Sequence, residues 1–411
     1  MTPDAAAALS LLSAAAVRER AGRMLALGLE GRLSHFRVDL DRLDAAVDLV
    51  VDLTRQRYPT LDMPFHSRWR HFILDGDNRW AAIRRSTRWR DDAALARAAF
   101  DLAIVSVLLD AGAGPQWQYR DPATGKHIGR SEGLGLASLA MFAGGGFSCD
   151  PENPLQADAK RLAQLSQADV GQALQVSQEN PLVGLAGRVD LLNRLGALVA
   201  SKPEVFARSG VARPGGFFDH LAARATNGSI AAPTILSELL RHFGPIWPSR
   251  LTLGGVPLGD CWRHPAIVAP DASNGLVPLH KLSQWLAYSL IEPLQWAGLS
   301  VTDIDGLTGL AEYRNGGLFI DTGVLRFRDS ADAARDHDVA STLVVEWRAL
   351  TVALLDRLAE AMRRELGLND TSLPLAKVLE GGTWEAGRAI ARKLRPDGSP
   401  PLKVISDGTV F

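Results

Sequence analysis

Between residues 338 and 366, Leu343, Trp347, Leu350, Leu354, Leu358 and Met362 recur at steps of three and four. That spacing puts six large apolar side chains on one stripe of a long helix, and Gly367 follows as its C-terminal stop. The same periodicity recurs along the chain. Leu43, Val47, Val50 and Thr54 mark a helix ended by Tyr58-Pro59. Residues 93–111 are apolar on nearly every face, from Ala93 through Val105 and Leu109, before Ala111-Gly-Ala-Gly114 stops them. A helix apolar all round belongs in the middle of a fold. Leu182, Leu185, Val189, Leu192 and Leu195 mark another helix with Pro181 near its start, and residues 276–292 form a further strong segment.

Strand signals are few. Leu318–Arg328 alternates around Asp321-Thr-Gly323 and reads as a hairpin, as does Leu251–Leu258. The tail from Pro401 to Phe411 carries an Asp-Gly turn between two β-branched runs. With no internal repeat and no clear linker, the chain is expected to be one integrated, mainly α fold with small hairpins. An N-terminal half (1–150) and a C-terminal half (151–411) are its expected divisions.

The charges nearly cancel, 45 basic against 46 acidic residues, which argues against a nucleic-acid protein relying on an overall positive field. The run Arg84-Arg-Ser-Thr-Arg-Trp-Arg90 reads as a solvated helix face or, alternatively, an anion site. The apolar start, Ala5–Val17, follows Asp4 and runs into Arg18-Glu-Arg20. A secretory peptide has the opposite charge order, so an ordinary helix is expected. No run is apolar for the length a membrane span needs. Two cysteines, Cys149 and Cys261, are too few for a disulfide scaffold, and a cytoplasmic location fits them.

No nucleotide-binding, serine-hydrolase or zinc-protease motif is present. Gly144-Gly-Gly146 follows a helical stretch and reads as its stop. The nine histidines are scattered; His66, His71, His264 and His280 read as hydrogen-bonded structural or substrate-contacting residues in preference to metal ligands, and no metal or other cofactor is expected. Ser131 can cap a helix beginning near Gly133, whose N-terminus would suit an anion, or the segment is a capped helix and nothing more. In Gly244-Pro-Ile-Trp-Pro-Ser-Arg250 two prolines fix Trp247, either to stack on a ring or to pack.

Residues 301–319 are chemically the richest. They set Asp303, Asp305, Glu312 and Arg314 among glycines, after a helix carrying Lys281, Gln284 and Trp285. Three carboxylates in ten residues can supply an acid, a base or stabilisation of an oxocarbenium ion. Leu307, Leu310, Leu318 and Phe319 surround the charges, so Glu312 must be paired, hydrogen-bonded or functional. Arg314 is the expected partner, and a purely structural Glu–Arg pair is the other reading.

His280-Lys-Leu-Ser-Gln-Trp-Leu-Ala-Tyr-Ser-Leu-Ile-Glu-Pro-Leu-Gln295 and Leu307-Thr-Gly-Leu-Ala-Glu-Tyr-Arg-Asn-Gly-Gly-Leu-Phe319 resemble the uracil-catabolism protein family of fungi and bacteria. So do Gly244–Arg250, Arg130-Ser-Glu-Gly-Leu and Ser406–Phe411, and the resemblance runs from Arg18 to Phe411. Lys281-Leu-Ser-Gln284 and Ala311-Glu-Tyr-Arg314 are also similar to segments of the queuosine-salvage nucleoside glycosylases, helical proteins resembling DNA glycosylases. Those enzymes have Asp where this chain has Glu312, and bulkier residues in place of Asn315-Gly-Gly317.

The resemblance implies an enzyme that releases urea from ribosylurea or its 5′-phosphate by cutting an N-glycosidic bond. The alternatives are a hydrolase of another C–N bond in the ureido fragment and a non-catalytic binding protein of the pathway. On this reading Glu312 is the first catalytic candidate, and Asp303 or Asp305 binds ribose hydroxyls or positions water. Lys281 and Arg314 bind phosphate or keep Glu312 ionised, Gln284 meets the ureido group, and Trp285 or Trp247 walls the pocket. Tyr313, Arg250, Arg130 and Glu132 join them as substrate-binding candidates within the matching segments. The expected partner is a small molecule, with no nucleic acid and no membrane.

Overall fold

The computed structural model describes residues 1–208, 210–247 and 251–405. Helices take up 55% of the protein, and each described strand has two or three residues in a two-stranded pair. The fold is mainly α. Two compact units are built from separate stretches of chain, and residues 1–150 contribute to both. Among the described residues no helix is long and apolar enough to cross a membrane.

The first unit gathers residues 1–66, 251–284 and 303–405. Its axis is the striped helix, Thr342–Leu366, which Ser341 caps and Gly367 ends at φ 67°. Ala14–Leu29, Leu43–Arg57 and Tyr313–Asp321 pack against it. Close approach is possible because Gly316 faces Trp347: a Cβ there would lie 2.7 Å from the indole, and the Trp347 Nε1–H donates to the Gly316 carbonyl at 3.1 Å. The buried Glu346 accepts the Phe36 amide at 2.8 Å, at the start of the strand Phe36–Val38. That strand pairs antiparallel with Leu325–Phe327.

The second unit gathers residues 67–247 and 285–302. The all-apolar segment forms the helix Asp92–Leu108, capped by Asp91 and buried along most of its length. Leu185–Ser201 and Arg130–Ala143 are further helices, the latter stopping at Gly144 as the glycines predict. The helix Lys281–Trp296 gives its first turn to the first unit and the remainder to the second. Pro293 inside it cannot donate to the Ser289 carbonyl, and the Trp69 indole supplies that missing donor at 2.7 Å.

Three segments depart from the sequence reading. Residues 276–278 are not helical: Leu276–Pro278 pairs antiparallel with Cys261–Arg263, and the helix waits until Lys281. The stretch read as a hairpin at 318–328 is the end of the helix Tyr313–Asp321 followed by a strand that pairs elsewhere. Glu312 caps that helix, and Gly323, at φ 81°, follows its end. At the tail, Lys403–Ile405 pairs in parallel with Asp336–Asp338, while residues 406–411 and their Asp-Gly turn lie outside the described residues. The hairpin in 251–258 does form, from Thr252–Leu253 and Val256–Pro257 across Gly254-Gly255.

Candidate functional site

In the first unit the chain from Leu307 to Ala311 is buried and leads into the N-terminus of the helix Tyr313–Asp321. Glu312 sits at the cap, 9% exposed. Its carboxylate accepts the Arg314 amide at 2.7 Å and the Asn315 amide at 2.5 Å. Two free N–H groups and the positive end of the helix dipole therefore hold it in one orientation. Burial nonetheless raises its carboxyl above the ordinary value, against the pull of those amides and of the Lys281 and Arg314 charges. A buried carboxylate of raised basicity beside a lysine can take a proton from water or face a developing cation.

The Glu312 and Lys281 segments hang from one buried ion pair. Arg348 forks onto Asp260 with two contacts of 2.8 Å, and its Nε–H donates to the Ala311 carbonyl at 3.1 Å, one residue before Glu312. Asp260 also accepts the Trp262 indole N–H at 2.6 Å and the Lys281 amide at 2.9 Å. Burial alone would raise the Asp260 carboxyl, but the Arg348 charge and hydrogen bonds, with those of Trp262 and Lys281, hold it far below its ordinary range. His280, at φ 48°, turns the chain into the helix and is hydrogen-bonded to the Leu11 carbonyl through Nε2 at 3.0 Å.

Gln284, Asp305 and Arg314, further candidates buried or half-buried in this unit, have specific partners. Gln284 is fully buried, and its amide group donates to the Thr308 hydroxyl at 2.6 Å and faces the Thr308 amide at 3.4 Å. Asp305 accepts from Arg363 at 2.6 Å and from the Leu375 amide at 2.7 Å. Asp303 is exposed and left-handed at φ 49°. The Arg314 guanidinium donates to the Gly398 carbonyl at 2.9 Å and lies 4.9 Å from the centre of the half-buried Tyr313 ring.

In the second unit Trp285 is buried, with the Arg68 guanidinium 5.5 Å from its ring centre and the His71 ring also at 5.5 Å. Arg68 pairs with Asp110 at 3.0 Å and donates to Ser106 at 2.6 Å. Ser131 is not a cap: the helix starts at Arg130, and the Ser131 hydroxyl instead donates to Asp110. Glu132 is half-buried and close enough to act on the Arg68 charge, whereas Arg130 is exposed. Trp247 is half-buried, and Arg250 lies outside the described residues.

Sequence reasoning missed Asp260, Arg348 and Arg68. Each is a common residue in an unremarkable local context, and only long-range pairing shows its role. It also expected no metal, yet His220, Glu238 and His242 of the second unit have ligand atoms within 4.8 Å of one another. The readable part of that group is Glu238 and His242, one turn apart on the helix Ala232–Phe243. Burial, and then the neighbouring His220, pushes His242 down to about 4.

A family model described as "Protein of unknown function (DUF1688)" matches residues 10–411. The chain is 38% identical to Protein urg3 of Schizosaccharomyces pombe over 417 aligned positions, covering 98% of each chain. It is 36% identical to Uracil catabolism protein 4 of Lachancea kluyveri over 416 positions, covering 93% of each.

Proposed function

The chain belongs to the DUF1688 family and is similar over nearly its whole length to Uracil catabolism protein 4, and from that premise we propose that it acts in uracil catabolism as an N-glycoside hydrolase. Its substrate is ribosylurea or the 5′-phosphate. Water adds its oxygen to C1′, the C1′–N bond breaks, and the remaining proton leaves with urea. The products are urea and ribose or ribose phosphate.

One observation carries the reading: Glu312 is a buried carboxylate of raised basicity, fixed by two amides and within the field of Lys281. In this scheme Glu312 takes the proton from the attacking water and faces the positive charge that develops at C1′. Lys281 binds the phosphate or moderates the Glu312 charge. Asp303, exposed, takes ribose hydroxyls, while Asp305 acts through Arg363 to hold the segment in place. Gln284, bound to Thr308, has a positioning role in place of contact with the ureido group. The test is to incubate the purified protein with each substrate and follow urea and sugar by mass spectrometry. Urea and sugar in equal amounts support the proposal; intact substrate contradicts it.

A second reading has its own support. Both Glu312 oxygens already accept backbone N–H groups, as a helix cap requires. A protein in which Glu312 only caps would bind the ring-opened intermediate without cleaving it. Saturable binding by calorimetry with no product favours that alternative.

A further inference from the structure

His220, in the helix Phe217–Ala222, and His242, in the helix Ala232–Phe243, both turn Nε2 towards one carboxylate oxygen of Glu238. The distances are 2.7 Å from His220 and 3.4 Å from His242. A divalent ion held tetrahedrally at about 2.0–2.2 Å by imidazole nitrogen and carboxylate oxygen sets its ligand atoms roughly 3.4 Å apart. His242 already stands at that spacing from Glu238, His220 is closer, and all three ligand atoms lie within 4.8 Å of one another. Two imidazoles with one carboxylate suit zinc, cobalt or nickel, whereas magnesium and calcium prefer oxygen ligands throughout.

We propose that His220, Glu238 and His242 bind a divalent transition-metal ion that ties these two helices of the second unit together. Three protein ligands leave a position for water. The site is independent of the glycoside reaction proposed above and uses none of its residues.

Among the described residues four cations oppose the ion: Lys202 acts on His242 and Arg208 on His220, and Arg224 and Arg241 stand nearest Glu238. Arg224 lies 2.9 Å from the shared Glu238 oxygen and 3.3 Å from His220 Nδ1, and Arg241 lies 3.6 Å from the other Glu238 oxygen. Coordination through His220 Nε2 puts the ring proton on Nδ1, facing the Arg224 guanidinium. Arg224 must therefore swing aside as the ion enters, and its side chain, 39% exposed, has solvent to swing into. Replacing Arg224 by a neutral residue accordingly tightens binding.

The experiment titrates the full chain, freed of metal by a chelator, with cobalt(II) and reads the visible absorption of the bound ion. Zinc then competes. The expected result is saturation at one equivalent, with affinity weakened by more than about tenfold in His242→Ala and in the near-isosteric Glu238→Gln. Arg224→Gln strengthens binding, and Cys149→Ser, which alters the exposed cysteine, leaves it unchanged. Circular dichroism of each variant confirms that a loss is not unfolding. Absence of saturable binding to the wild-type chain overturns the proposal, as does wild-type affinity in folded His242→Ala and Glu238→Gln.

Discussion

Glu312 and Arg314 are hydrogen-bonded through the Arg314 backbone amide and not through the guanidinium. The Glu312 carboxylate accepts the Arg314 amide at 2.7 Å, while the Arg314 guanidinium turns away to the Gly398 carbonyl at 2.9 Å. The link leaves the carboxylate oriented by neutral donors and its basicity raised by burial. A direct ion pair with Arg314 would have lowered that basicity.

Glu312→Gln separates the two roles of this residue. Glutamine keeps one carbonyl oxygen for the cap but turns its NH2 towards the second amide, so the loss of stability is about 1–3 kcal/mol. It cannot take a proton, so turnover falls by about 10²- to 10⁴-fold. Urea denaturation and product assays on the same preparation read both effects. Near-normal turnover in the variant would remove Glu312 from the chemistry.

The raised carboxyl also predicts a pH dependence of stability. The folded state holds the Glu312 proton more tightly than the unfolded chain, whose ordinary value is 4.5. The contribution is fully present below that value and is lost as pH rises through the higher folded value. The stability of the wild type relative to Glu312→Gln therefore falls as pH is raised from about 4 through that window. Paired denaturation curves across the range check it, and a difference that stays flat or grows contradicts it.

Arg348→Met leaves Asp260 buried without its cation. Breaking a buried pair in this way costs about 3–5 kcal/mol. It also frees the Ala311 carbonyl and slackens the clamp that holds the Lys281 and Glu312 segments. Replacing Asp260 by Asn in the same chain removes the stranded charge, and the double variant should be more stable than Arg348→Met alone. Thermal unfolding of the three proteins measures the coupling.

Gly387→Ala tests the packing beneath the site. A Cβ there would lie 2.1 Å from the Arg314 carbonyl oxygen and 2.8 Å from its carbon, both backbone atoms that cannot swing away. The helix Trp384–Leu394 must then shift from the helix Tyr313–Asp321, at a cost of about 1–3 kcal/mol. Gly22→Ala has nothing within 4 Å of its Cβ and serves as the control that leaves stability unchanged or slightly higher.

The long helices are legible because their signals are local. The stripe from Leu343 to Met362 and the apolar run from Ala93 to Leu109 each announce a helix within their own residues. The stretch around Leu318 misleads because a short helix followed by a strand mimics alternation, and its strand pairs with Phe36–Val38, far away in sequence. Of the candidate site, the acidic segment is visible as charges among apolar neighbours. The Glu312 cap is not, since Glu ranks low among N-caps and Arg314 offers an obvious guanidinium that is hydrogen-bonded elsewhere. Asp260 and Arg348 stand 88 positions apart, and no spacing rule relates them.

The central claim is cleavage of the C1′–N bond, and ribosylurea and its 5′-phosphate, each carrying heavy nitrogen at both urea positions, test it most directly. The account predicts that both labels leave one of these substrates together in one molecule of urea and that the ribose or ribose phosphate is released unlabelled. Labelled ammonia, or tight binding with both substrates left intact, would contradict it.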